Sequence, residues 1–179
     1  MDPLMRTERL ILREMTTADA AHCFALNNDP EVRRHTGDGP FASVDEARAF
    51  LAAYPAYRAD GFGRWCVLLH DGTWIGWCGL RRQPDGEVDL GYRLLRAHWG
   101  KGYATEASVA SLRLGFERFA LPAIIGRVDR ANAGSISVLE KVGMRYWKTD
   151  VAEHNDQALF YRITRAEWGR AAALHDDGR

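Results

Sequence analysis

The stretch Trp99-Gly100-Lys101-Gly102-Tyr103-Ala104-Thr105-Glu106-Ala107 puts two glycines where an extended segment gives way to a helical one. Glycine lets a backbone approach a ligand closely. The first N–H groups of a helix have no intrahelical partner and carry the positive end of its dipole. Such a junction suits a pyrophosphate, and Lys101 can add a point charge to it. Three readings fit these residues. One is a turn that merely needs two glycines. The second is a dinucleotide site, with Asp129 at the end of the next strand as a ribose ligand, but Thr105 stands where a third glycine is wanted. The third is a coenzyme A pyrophosphate site. Two further groups could do chemistry. Glu87 and Asp89 alternate with Gly91 onto one strand face, as proton acceptors or as solvated carboxylates. Asn132 and Ser135 open a second helical segment, where either can be a capping group.

Periodicity supplies the elements that hold these residues. Arg9-Leu10-Ile11-Leu12-Arg13 reads as a strand over about 6–14. Thr16 or Thr17 caps a helix through Ala20, Phe24 and Leu26 that ends at Asn27, Asn28 and Pro30. Ser43-Val44-Asp45-Glu46 reads as a capping box opening a helix with Ala47, Phe50, Leu51 and Tyr54 on one face. From Arg64 the period becomes two. Arg64–His70 and Trp74–Leu80 flank Asp71-Gly72, a hairpin turn. A two-residue loop there sets Cys66 opposite Trp77 and Cys78 opposite Trp65, with the two thiols on opposite faces. Pro84-Asp85-Gly86 turns into the strand Glu87–Leu95. A helix from Gly102, a strand Ile124–Val128, a helix Asn132–Val142, strands at about 144–153 and 157–163, and a helix Arg165–Ala173 follow. The pattern is an α/β mixed sheet with helices on both faces.

Composition narrows the setting. The 179 residues suit a single domain spanning 1–179. Lys plus Arg equals Asp plus Glu at 24 each, so there is no basic excess for nucleic acid. No apolar run reaches the roughly 20 residues of a membrane span, and Met1–Leu10 carries no secretory h-region. Cys23, Cys66 and Cys78 are widely spaced and odd in number, which points to reduced thiols and a cytoplasmic setting. His22, His35, His70, His98, His154 and His175 have no zinc-type spacing, so no metal is expected.

The Trp99–Ala107 segment resembles the acetyl-CoA motif of the GNAT N-acetyltransferases, in their RimJ/RimL-like branch. Four other segments fit the same branch in order: Thr7–Arg13, Asn28–Val32, Asp89-Leu90-Gly91-Tyr92, and Asn132–Ser135 leading to Val138–Met144. The resemblance spans about 7–165. It implies the GNAT fold, a mostly antiparallel sheet splayed between its fourth and fifth strands, Glu87–Leu95 and Ile124–Val128. Acetyl-CoA would lie in the splay as co-substrate, against Leu94, Leu95, Trp99, Gly100, Lys101, Gly102, Tyr103, Ala104, Thr105, Asn132 and Ser135. Trp99 departs from the family's Gln or Arg, but the phosphate contacts are backbone N–H groups from Gly100 to Thr105.

The implied activity is transfer of acetyl to a primary amine, with a peptide or protein α-amine as acceptor. Asp89, where the branch has Glu, is the first candidate base, with Glu87 second. The N–H of Leu94 or Leu95 would receive the oxyanion. Ser135 would meet the departing sulfur, because the Tyr many members use is replaced by Leu139. Asn132 would hold the pantetheine amide. Asp29, Glu31, His35, Glu153 and Asp156 could receive a cationic acceptor from the first helices and the 144–157 hairpin. Small amines, including polyamines, amino acids and antibiotics, stay open as acceptors, as does an acyl-CoA-binding module without turnover. A homodimer through a sheet edge or the last helix also stays open.

Overall fold

Leu10 and Leu12 are fully buried, whereas Ile11 and Arg13 point to the half-covered face of the strand Leu10–Glu14 (β2). Met5–Arg6 (β1) folds back on it through a turn in which Thr7 N–H donates to Leu10 O at 2.9 Å. The single strand expected over 6–14 is therefore a short hairpin, and later strands number one higher. The computed structural model describes residues 3–152 and 155–176. The remaining strands are Arg64–Leu69 (β3), Trp74–Arg82 (β4), Val88–Leu94 (β5), Ala123–Val128 (β6), Arg145–Ala152 (β7) and Asn155–Thr164 (β8). They form one sheet in the order β1-β2-β3-β4-β5-β6-β8-β7.

The helices are Ala20–Asn28 (α1), Pro30–Arg33 (α2), Val44–Ala53 (α3), Ala56–Ala59 (α4), Tyr103–Arg113 (α5), Ala133–Lys141 (α6) and Arg165–Asp176 (α7). Ser43 caps α3 by accepting from Glu46 N–H at 3.1 Å. The reciprocal arm differs from a full capping box, because the Glu46 carboxylate accepts from Ala42 N–H rather than from that of Ser43. One sheet face packs on α5 through Leu10, Leu12, Trp65, Val67, Leu80 and Leu112. The other packs on α1 and α3 through Leu26, Leu51, Cys66 and Trp74. Each of these side chains contributes roughly 1.5–3 kcal/mol when fully buried. The three thiols are free and buried, with Cys66 and Cys78 on opposite faces.

The β3–β4 hairpin differs from the expected one at its tip. Leu69 N–H donates to Thr73 O at 2.9 Å, so the loop is the three residues His70 to Gly72. Val67 opposes Gly76 while Leu68 opposes Trp74, which makes Ile75 an extra, bulged residue. The bulge restores the register that the longer loop removes, and Trp65 still faces Cys78 and Cys66 still faces Trp77. Gly76, next to the bulge, has φ +148°, and a Cβ there would lie 2.2 Å from Arg93 O.

β5 and β6 run parallel and share a single registered pair, Asp89 with Ile125. Beyond it their C-terminal ends diverge. The sheet splays where the resemblance placed the gap, between the strands built on 87–95 and 124–128. Because Gly76 sets the end of β5 against β4, Gly76→Ala should destabilise the chain by about 2–3 kcal/mol through strain and overpacking. A lowered urea midpoint with an unchanged m-value is the expected result.

Candidate active site

The helix that would receive a pyrophosphate begins without a side-chain cap. Its N-cap is Gly102 at φ +81°, and the first backbone N–H to close a helical bond is that of Glu106, onto Gly102 O at 3.0 Å. The N–H groups of Tyr103, Ala104 and Thr105 are left to an anion at the positive end of the dipole. His98 Nδ1, in the preceding turn, is buried without a protein partner. Burial, then nearby Lys101, pushes its imidazole pKa down, so it serves as a neutral donor or acceptor. These residues fit a coenzyme A pyrophosphate. Gly100, Gly102, Tyr103, Ala104 and Thr105 all line the cleft. Lys101 does not. It is exposed, and its carbonyl accepts from Arg9 Nη1 at 2.9 Å on the outer side of the loop.

The loop is held in place from the other end of the chain. Glu106 accepts from Thr7 Oγ1 at 2.6 Å, from Arg9 N–H at 2.8 Å and from Arg9 Nε at 2.6 Å. The Arg9 guanidinium also lies over the Tyr103 ring at 4.7 Å. Burial alone would raise the Glu106 pKa, but the hydrogen bonds from Thr7 and Arg9 outweigh it and hold the carboxyl below its usual range. The contribution of this clip is therefore present above the ordinary carboxylate pKa and is lost as pH falls through the lower folded value.

At the splay only one of the two expected oxyanion donors is free to act. Leu95 N–H donates to Ile75 O at 2.9 Å and is committed to β4. Successive N–H groups along a strand point to opposite edges, so that of Leu94 points into the gap toward β6. Leu94 O accepts from Trp99 Nε1 at 2.7 Å. The tryptophan that replaces the family's Gln or Arg thus ties the glycine loop to the end of β5.

Across the gap, Asn132 is the N-cap of α6 and accepts from Ser135 N–H at 3.1 Å. Its Oδ1 is used in the cap, which leaves its amide nitrogen for a ligand. Ser135 lines the cleft in the first turn of α6. Leu139 is buried against Gly126, so the position of the missing Tyr is packed into the core. Another phenol stands nearby. Tyr92 donates from β5 to Ser135 O at 3.0 Å and spans the splay, and burial raises its pKa so that it stays protonated. Its place on β5 opposite α6 was not readable from spacing.

The carboxylates expected to act as bases are placed differently. Asp89 is buried, and Arg64 Nη2 donates to both of its oxygens, at 3.1 and 3.0 Å. Gln83 Nε2 adds a third bond, at 2.7 Å. A carboxylate so engaged is an anchor for Arg64. It is also five residues, about 16 Å along an extended strand, from Leu94. Glu87 lies before β5, in the turn where its N–H bonds Asp85 at 3.0 Å, and it does not line the cleft.

The remaining wall is charged and aromatic. Trp77 lies between Arg64 and Arg93, each 5.4 Å from its ring. Arg93 pairs with Asp38 at 2.5 Å and also bonds Asn27. Glu31 pairs with Arg34 at 2.6 Å. His35 Nδ1 lies 3.1 Å from Asp129 Oδ2, whose other oxygen accepts from Ala131 N–H at 2.8 Å. Asp29 caps α2 by accepting from Glu31 N–H at 2.9 Å. Glu153 and the Asp156 side chain lie outside the described residues. The whole forms one continuous cleft of about 1120 Å³.

Fold and cleft together define an acyl-CoA-dependent transferase of the splayed-sheet kind. Residues 9–145 match the Acetyltransferase (GNAT) domain family. The chain is 33% identical over 143 residues to the N-acetyltransferase p20 of Bacillus licheniformis, covering 78% of this chain and 80% of that one. It superposes on the crystal structure of an acetyltransferase from Agrobacterium tumefaciens with a TM-score of 0.78 and 30% identity, over 91% and 95% of the two chains. It also superposes on spermidine N-acetyltransferase from Vibrio cholerae in complex with CoA and spermine, with a TM-score of 0.77 and 20% identity over 90% and 99%. The chain belongs to the GNAT family of acetyltransferases. The dinucleotide reading gives way to this one. Gly102→Val forces a β-branched residue into the positive-φ conformation and brings a Cβ to about the 3.3 Å that separates that position from Arg9 Nη2. It should weaken coenzyme A binding on the order of 100-fold in calorimetry, at near-native circular dichroism.

Proposed function

We propose that the chain acetylates the α-amine of a peptide or protein, in the manner of the RimJ/RimL-like branch. The observation that carries this reading is the charge pairing of the acceptor wall. Asp38, Asp89 and Glu31 are paired with the guanidinium groups of Arg93, Arg64 and Arg34, and Asp129 lies against His35 Nδ1. A polycation would need carboxylates with no cation of their own, and three of these four have one. A single amine next to an apolar side chain fits better, because Trp77, Phe41, Phe50 and Tyr54 line the same end. The α-amine ordinarily titrates near 8, against about 10.4 for a lysine, so it reaches the nucleophilic neutral form more easily.

The roles follow from placement. Leu94 N–H receives the oxyanion that forms on the thioester carbonyl. Asn132 offers its amide nitrogen to the pantetheine arm, and Ser135 in the first turn of α6 meets the sulfur as it leaves. Tyr92 fixes α6 to β5 and keeps that turn facing Leu94. Asp89 acts through Arg64, as a positioning residue for the Trp77 wall.

The test is product detection by mass spectrometry, with acetyl-CoA and a panel of peptides, polyamines, aminoglycosides and amino acids. The expected product is a peptide 42 Da heavier, with the acetyl group on its α-nitrogen (roughly one acetyl for one proton). Acetylation of polyamines or aminoglycosides alone would move the acceptor to small amines. Tight acetyl-CoA binding without product from any amine would favour a binding module.

A further inference from the structure

We propose that His35 is the general base of the transfer and that Asp129 holds it in place. The assignment rests on the acetyl-transfer reading above. It begins from what the cleft lacks, because Asp89 is bound by Arg64 and Gln83, and Glu87 lies outside the lining. The proton of an acceptor ammonium therefore needs another destination.

His35 follows α2, and Asp129 follows the last residue of β6, yet His35 Nδ1 and Asp129 Oδ2 are 3.1 Å apart. An ionised carboxylate only accepts hydrogen bonds, so Nδ1 carries a proton and, in the neutral ring, Nε2 keeps its lone pair. The ring is partly exposed at 26% and lines the cleft. Asp129 is itself fixed. Its Oδ1 accepts from Ala131 N–H, and its backbone O accepts from Asn132 N–H at 2.9 Å, which joins it to the N-cap of α6. The dyad thus stands at the C-terminal end of β6, the same open end of the splay as Leu94 on β5 and Ser135 on α6. A base held by a carboxylate through its other nitrogen is the arrangement that fixes tautomer and orientation in histidine-based proton transfer.

The proton balance is complete with these groups. Nε2 takes one proton from the acceptor ammonium. The freed lone pair forms the C–N bond while the carbonyl pair moves to oxygen, opposite Leu94 N–H. Collapse of that adduct breaks the C–S bond, the thiolate takes the second surplus proton of the nitrogen, and the imidazolium returns its proton to solvent. The charged and imidazole groups lining the cleft, apart from His35 itself, are Asp129 and Arg127 from β6 and its following loop, Arg64 from β3, Arg81 from β4, Asp89 and Arg93 from β5, His98 from the turn before α5, Lys141 from α6, and Glu31, Arg34 and Asp38 from the segment of His35. Among them Glu31 is paired with Arg34 and Asp38 with Arg93, which leaves Asp129 as the group bonded to the ring.

The experiment compares wild type, His35→Ala, His35→Gln and Asp129→Asn in steady-state transfer to the best acceptor of the panel, with acetyl-CoA affinity measured by calorimetry. His35→Ala should lower kcat by about 10²–10³-fold, within the range for general bases, and leave acetyl-CoA affinity within about twofold. Added imidazole should restore part of that rate, and the acidic limb of the kcat/KM profile should disappear. Asp129→Asn should lower kcat about tenfold and leave the limb in place, shifted, as for a positioning residue. His35→Gln can still donate to Asp129 but cannot take a proton, so it should match His35→Ala if the alanine variant folds poorly. A His35→Gln rate within threefold of wild type, or a loss confined to the acceptor KM, would overturn the assignment and leave the pair as a latch between α2 and β6. Absence of product from the wild type with every amine would remove the acetyl-transfer reading itself, and the base with it.

Discussion

Everything at the active site follows from the parallel ladder between β5 and β6 ending after Asp89 and Ile125. A continuous ladder would pair the inner edge of β5 and close the sheet. Because it stops, Leu94 N–H faces a gap, and the first turns of α5 and α6 line the same cleft. Across the gap Tyr92 reaches Ser135 O at 3.0 Å, and on the β5 side Trp99 Nε1 binds Leu94 O at 2.7 Å. On the outer side the bulge at Ile75 and the glycine after it let Leu95 bond β4 while Leu94 turns away.

Placing an anion-binding loop in such a gap requires that the loop not move with the ligand. The constraint comes from the N-terminal hairpin, where Thr7 and Arg9 hold Glu106 in the first turn of α5. A carboxylate near a helix N-terminus is favoured by the dipole. Here it also ties the first strands to the element that would bind phosphate. The conspicuous Thr7–Arg13 segment therefore braces the glycine turn that opens α5.

The opposite end of the cleft follows a different rule. Its carboxylates Asp38, Asp89 and Glu31 are each paired with an arginine, and Trp77 lies between two guanidinium groups. Pairing fixes long side chains that would otherwise cost conformational entropy to order. It also engages Asp89 with Arg64 and Gln83, whereas the His35–Asp129 contact, across 94 positions of sequence, uses one ring nitrogen of His35.

Much of this was legible in the chain. Periodicity of two and of 3.6 set out nearly all of the elements, and Gly100-Lys101-Gly102 marked the uncapped glycine turn that opens α5, because those signals are local and backbone-driven. The Cys66–Trp77 register was legible for the same reason, although the loop and the bulge that produce it were not. What the sequence alone determined was the order of strands and helices and the conformation of the glycine turn. Which carboxylate is engaged, which N–H faces the gap and which phenol reaches α6 were decided only by tertiary structure. Those properties depend on partners far apart in the chain: Arg64 on Asp89, Ile75 on Leu95, Tyr92 on Ser135. No spacing rule encodes a hydrogen bond between strands that meet only after the sheet has formed.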